Sequence, residues 1–154
     1  MLFHDIQNPS NLALFLFKHT SEEVKTMKYV LVVDDEKIFQ LSLLDGLRTF
    51  EKDFRVMTAE NGKEAKDILK VFPVDLVVSD LKMPEADGFE LLAYMKKSHP
   101  HTPVIVMTAF GNPKLEQWLS SLGVHAYLEK PFDFYDLTNK IYTGLASRNK
   151  QLYN

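Results

Sequence analysis

Short runs of β-branched and aliphatic residues alternate along this chain with longer stretches in which apolar residues recur every third or fourth position. The runs predict strands at residues 29–33, 54–59, 74–78, 104–107 and 125–128. Between them the spacing predicts five helices. Their apolar positions are Ile38, Leu41, Leu44 and Leu47; then Ala65, Ile68 and Leu69; then Phe89, Leu92 and Ala93 within 89–98. The fourth set is Leu115, Trp118, Leu119 and Leu122, and the fifth is Phe134, Leu137, Ile141 and Leu145. Trp118 falls on an apolar stripe and is expected to pack inward. Asn112 and Pro113 suit a helix start, Gly123 suits its end, and Asp133 suits the start of the last helix.

Strands that are apolar on both faces and alternate with helices argue for a parallel sheet covered on both sides. The fold class is α/β, a doubly wound five-stranded parallel sheet of the flavodoxin-like kind. The order 2-1-3-4-5 is taken over from known sheets of this kind and not from the residues.

Residues 1–26 stand apart as an N-terminal extension. Asn8-Pro9 could open a helix there. The apolar run 12–17 has no clean period, so helix and strand compete, with a lean to helix. Such a run is expected to cover itself on this domain or on a second copy, which leaves a homodimer open. Residues 27–148 form the main domain, and 149–154 read as a polar tail.

With 154 residues, the chain is long enough for one well-buried core. The absence of cysteine removes disulfides and thiolate metal sites. A formal net charge of −3 supplies no basic footprint for nucleic acid and no polybasic membrane patch. The run 12–17 is too short to span a bilayer and lacks the flanks of a signal peptide. The expected location is cytoplasmic.

The candidate chemistry lies where the strands end. The first strand ends in Asp34-Asp35-Glu36 and the third in Ser79-Asp80. The fourth ends at Thr108-Ala109, and the fifth runs into Glu129-Lys130-Pro131. In open α/β sheets the carboxyl edge is where ligands bind. Asp80 is followed by Met83-Pro84, which resists an immediate helix, and by Gly88, which closes the loop. Alone, Asp80 reads better as a turn-capping aspartate. Three carboxylates brought to one edge repel one another and call for a cation. Oxygen-only ligands point to Mg²⁺. A divalent cation beside an aspartate, a lysine and a hydroxyl suits phosphoryl transfer. Asp80 would attack phosphorus, Lys130 would neutralise phosphoryl oxygens, and Thr108 would donate a hydrogen bond.

This ordered set resembles the response-regulator receiver domain, the CheY-like family. The residues that carry the likeness are Asp34-Asp35, Asp80 with Met83-Pro84 and Gly88, Thr108-Ala109, Tyr127, and Lys130-Pro131-Phe132. The likeness covers about residues 28–148. It implies that Asp80 is the phosphoacceptor, that Thr108 and Tyr127 form a switch pair, and that Lys130 is the conserved-type lysine. It also implies Mg²⁺ held by Asp34, Asp35, Asp80 and the backbone carbonyl of Lys82, with Asp35 the more direct ligand of the acidic pair. A cis peptide before Pro131 is implied as well. The partners implied are a sensor histidine kinase or a histidine phosphotransfer protein, and a downstream protein docking on the face of the fourth helix, fifth strand and fifth helix. The chain would be no enzyme beyond its own phosphorylation and dephosphorylation.

Two rival readings differ at named positions. Aspartate-nucleophile phosphohydrolases carry a second aspartate two residues after the nucleophile, where this chain has Lys82. A pseudo-receiver that only binds partners would have lost part of the set, and none is missing. The five histidines show no metal-ligand spacing, and His99 and His101, flanking Pro100, suit no phosphoryl carrier. The kinase, the target and the pathway are not written in the sequence.

Overall fold

The structure, a computed structural model, describes residues 26–83 and 88–152. The apolar run at 12–17, with the rest of residues 1–25, lies outside the described residues, as do Pro84 in the stretch 84–87 and the last two residues, 153–154. In order come β1 (Lys28–Val33), α1 (Lys37–Leu47) with a single 3-10 turn (Arg48–Phe50), β2 (Phe54–Ala59), α2 (Gly62–Val71) and β3 (Leu76–Asp80). Then follow α3 (Gly88–Ser98), β4 (Val104–Thr108), α4 (Pro113–Ser121), β5 (Ala126–Glu129) and α5 (Phe134–Leu152). The strands form one sheet in the order β2-β1-β3-β4-β5, and every pairing is parallel. The fold class is the one expected from the pattern, and the strand order is the one taken over from known sheets of this kind.

Alternation along each strand sends side chains to opposite faces. Leu31, Val33, Val77 and Val106 point to the side of α2, α3 and α4, where they meet Leu69, Leu91, Met95 and Leu119. Val30, Val32, Val78, Ile105 and Met107 point to the side of α1 and α5, where they meet Leu43, Leu47, Leu137 and Ile141. Each of these larger apolar side chains contributes roughly 1.5–3 kcal/mol by leaving water. Asp34 and Asp80 are buried at the ends of the same strands. A buried carboxylate costs several kcal/mol unless it is paired, so these two need partners.

Three helices depart from the sequence pattern in detail. In α1 the phase differs: Ile38 is 83% exposed and Leu41 57%, while Gln40, Leu43 and Leu47 face inward. The cause is the Gln40 amide, which donates to the carbonyls of Asp34 at 2.7 Å and Ala59 at 2.6 Å. These acceptors lie where β1 and β2 end, so a polar side chain fixes the rotation of an otherwise apolar helix. Trp118 is 43% exposed and leans on the Phe89 ring, 5.7 Å away between centroids, instead of entering the core. Finally, α5 continues through Leu152, into the stretch read as a polar tail. Arg148 helps explain this, since its guanidinium donates to the Val74 carbonyl at 2.6 Å and to Asp75 at 3.0 Å.

Candidate functional site

The register of the sheet sets the site. Val33 pairs with Ser79, Asp80 with Met107, and Thr108 with Glu129. The carboxyl ends of β1, β3, β4 and β5 therefore lie side by side, and the residues that follow them share one edge.

Asp80 is the last residue of β3. Its Oδ1 accepts from the Lys82 amide at 2.9 Å, and its Oδ2 accepts from Lys130 Nζ at 3.0 Å. Asp34 follows β1 directly and is fully buried. Its Oδ1 accepts from the Glu36 amide at 2.9 Å, and its Oδ2 accepts from the same Lys130 Nζ at 2.7 Å. One ammonium thus bridges two carboxylates from two strands. The Phe39 ring lies 4.0 Å from that ammonium. Glu36 Oε1 stands 3.9 Å from it.

The electrostatics follow from this crowding. Burial raises the Asp34 pKa, and the Lys130 hydrogen bond opposes that rise without overcoming it. Burial pushes the Lys130 pKa down, yet its hydrogen bonds to Asp34 and Asp80 win and the net shift is upward. The two directions are compatible. Lys130 gains two carboxylates, whereas Asp34 gains one ammonium and a second carboxylate.

Gly88 lets the loop after β3 close. A Cβ there would collide with the Asp80 carbonyl oxygen, and its amide donates to the Leu81 carbonyl at 3.0 Å. The Lys130–Pro131 peptide is cis. Thr108 ends β4, buried, and its Oγ1 accepts from the Phe110 amide at 3.2 Å. Tyr127 lies three residues before Lys130 on β5. Its hydroxyl is buried without a hydrogen-bond partner among the described residues, against Gly111, where a Cβ would collide with it. Burial raises the Tyr127 pKa, assisted by the carboxylates of Glu129 and Glu116.

Not every expected residue joins the cluster. One oxygen each from Asp34, Glu36 and Asp80 lie within 4.8 Å of one another. Asp35 is exposed and outside that group. Glu36 was missed, although it continues the acidic run and so carried a signal. Phe39 was missed because its spacing gave no hint of a lysine 91 positions later, a separation read from Lys130 and Phe39 in the sequence. The Lys82 side chain is exposed, with Nζ 4.2 Å from the centroid of Phe110.

The donor set suits a hard divalent cation, since three carboxylates converge and no sulfur or imidazole is among them. A fully buried carboxylate whose charged form is disfavoured by burial is also a group that added positive charge would relieve.

Residues 30–142 match the response regulator receiver domain. The chain belongs to this family. Among curated relatives, this receiver is 34% identical over 113 residues to sporulation initiation phosphotransferase F of Bacillus subtilis, covering 73% of the chain and 89% of that protein. It is 34% identical over 136 residues to a probable cyclic di-GMP phosphodiesterase of Vibrio cholerae, covering 86% of the chain. The chain spans only 30% of the length of that relative. Among solved structures, the response regulator protein TrrA of Thermotoga maritima, in complex with Mg(2+)-BeF, superposes with a TM-score of 0.66 at 33% identity, covering 76% of the receiver and 98% of that chain. The protein is thus a receiver domain of the two-component response-regulator type. No helix among the described residues is long and apolar enough to cross a membrane.

Proposed function

We propose that this receiver takes a phosphoryl group onto Asp80 from a phosphohistidine donor, a sensor histidine kinase or a phosphotransfer protein, in the cytoplasm. The observation that carries the reading is the single ammonium of Lys130 shared between Asp34 at 2.7 Å and Asp80 at 3.0 Å. In transfer, an Asp80 carboxylate oxygen forms a bond to phosphorus while the bond from phosphorus to the donor imidazole nitrogen breaks. The product is an acyl phosphate, and the imidazole leaves with the electron pair. Lys130 is placed to follow the charge from the carboxylate to a phosphoryl oxygen. The Thr108 hydroxyl would turn from the Phe110 amide to donate to another.

Asp34, Asp35, Asp80 and the Lys82 carbonyl would hold Mg²⁺, with Glu36 as a further carboxylate at the same place. When bound, Mg²⁺ supplies positive charge against the phosphoryl oxygens. Asp34 keeps Lys130 in reach, and the Lys82 amide orients the attacking carboxylate through Oδ1. Among the described residues the buried Tyr127 hydroxyl has no partner to hold it, so a displaced Thr108 can pass the change to the face of α4, β5 and α5. A downstream protein reads that face. The chain catalyses nothing beyond its own phosphorylation and dephosphorylation, and contacts no nucleic acid or membrane directly. TrrA, in complex with Mg(2+)-BeF, supports the cation and the anion site by likeness.

The test is labelling of the full chain by acetyl phosphate with and without Mg²⁺. Label that depends on Mg²⁺ and maps to Asp80 is expected. Label located elsewhere, or indifferent to Mg²⁺, contradicts the reading.

A further inference from the structure

The Lys130 ammonium has three donor hydrogens and bonds two carboxylates, with Glu36 Oε1 farther off at 3.9 Å. Its remaining side faces the Phe39 ring, with Nζ 4.0 Å from the centroid. That ring is itself braced. It meets Phe132 edge-on, at 6.0 Å and an interplanar angle of 82°. Phe132 lies two residues beyond Lys130, so the loop that carries the lysine also supports the ring that holds it. The Lys130 side chain is only 12% exposed, which leaves little room for water around it.

We propose that Phe39 is a positioning residue for phosphoryl transfer, its ring face holding the Lys130 ammonium between Asp34 and Asp80 while leaving it free to turn onto a phosphoryl oxygen. The proposal rests on the reading of Asp80 as the phosphoacceptor. An aromatic face attracts a cation through its quadrupole and accepts no directed N–H bond of ordinary strength. A carbonyl or carboxylate on that side would add a hydrogen bond that must break before Nζ could move. Water there would screen the charge that the reaction uses. The ring does neither.

The plainer account is that Phe39 fills space beside Phe132. Leucine preserves that role and removes the ring face; tyrosine preserves both. The experiment measures acetyl-phosphate labelling rates of the full chain carrying Phe39→Leu or Phe39→Tyr, in the native background and in Lys130→Met. A second measurement reads the NMR shift of the Lys130 methylene protons next to Nζ, which an overlying ring moves upfield. Expected are a slowing of roughly fivefold in Phe39→Leu, near-native rates in Phe39→Tyr, and no further effect of Phe39→Leu once Lys130 is methionine. The upfield shift should be present in the native and tyrosine forms and lost with leucine. Equal slowing in both lysine backgrounds, equal rates for leucine and tyrosine, or a native Lys130 without the upfield shift would each overturn the role. A native chain that takes no label, with the shift intact, would instead defeat the Asp80 reading and the transfer role with it.

Discussion

Lys130 and Lys82 each set an ammonium over an aromatic ring beside Asp80, Nζ of Lys130 at 4.0 Å from the Phe39 centroid and Nζ of Lys82 at 4.2 Å from that of Phe110. The distances are nearly equal and the surroundings are not. Lys130 is partly buried between two carboxylates, its side chain 12% exposed, whereas Lys82 is exposed and the Phe110 beneath it is 67% exposed. A desolvated cation–π contact is worth about 2 kcal/mol and an exposed one about 0.5–1 kcal/mol. The same pairing therefore does two jobs. Around Lys130 it helps hold a charge where the reaction needs one. Around Lys82 it lightly ties the loop after β3 to the loop after β4.

The largest effect should come from Asp80, the proposed acceptor, on which both lysines border. Asp80→Asn keeps the side-chain shape and removes the nucleophile, so acetyl-phosphate labelling should vanish while the melting transition remains cooperative. Labelling at the native level in this variant would end the assignment.

Next come the lysines themselves. Lys130→Met leaves Asp34 and Asp80 buried without their shared cation, so it should cost roughly 3 kcal/mol in metal-free buffer. Mg²⁺ should restore part of that loss. Lys82→Met removes an exposed contact and should cost no more than about 1 kcal/mol. Urea titrations of the two variants decide it, and equal costs would mean that burial does not separate the two sites.

The acidic side of the site can be sharpened in the same way. Asp35 is exposed, so replacing it with alanine should weaken Mg²⁺ binding in calorimetry without lowering the metal-free melting temperature. Glu36→Gln should also weaken Mg²⁺ binding, since Glu36 stands in the converging group. Unchanged affinity in Asp35→Ala alone would assign the ligand role to Glu36.

A smaller effect is expected at Asp34, and its sign depends on pH. Burial raises the Asp34 pKa despite Lys130. A carboxyl group with a raised folded-state pKa supports the fold below its unfolded pKa and loses that support as pH rises through the folded value. Asparagine carries no charge at any pH and can still accept from the Glu36 amide. Asp34→Asn should therefore melt higher than the native protein near neutrality in metal-free buffer, with the gap closing as the pH falls into the acid range. A gap that widens on acidification would reverse the account.

The strand ends were legible because two signals coincide there. A β-branched run such as 29–33 stops at a carboxylate, and several such runs end in residues that suit one chemistry. Asp34, Asp80, Thr108 and Lys130 could all be placed on one edge because each follows or ends a strand of an expected parallel sheet. The phase of α1 could not. Ile38, Leu41, Leu44 and Leu47 keep helical spacing, but Gln40 decides the rotation by bonding two carbonyls that only the folded sheet brings together. Phe39 faces Lys130 for the same reason, as a consequence of that rotation. Glu36 likewise enters the site through the turn of its backbone, since its amide caps Asp34. Hydrophobic spacing records which residues avoid water, and it records neither of these polar bonds.

The finest test of the two-lysine contrast is the lifetime of the acyl phosphate. Hydrolysis needs a water in line with the bond from the aspartyl oxygen to phosphorus. An acidic or amide side chain near that line can orient such a water, whereas a charged lysine offers no acceptor and phenylalanine offers no hydrogen bond. Lys82 and Phe110 stand close to the site through their backbones. The Lys82 amide bonds Asp80 Oδ1, and the Phe110 amide bonds Thr108 Oγ1. Their side chains meet each other and offer no acceptor to water. Slow self-dephosphorylation is the expected result. In Phe110→Glu the ring is replaced by an acceptor, and the exposed contact that is lost is worth about 0.5–1 kcal/mol, so decay should quicken by roughly two- to fivefold. Following loss of label after removal of acetyl phosphate gives both rates. A variant that decays no faster would show that Phe110 neither shields nor starves the water path, and its exposed ring would then be better sought at a partner's surface.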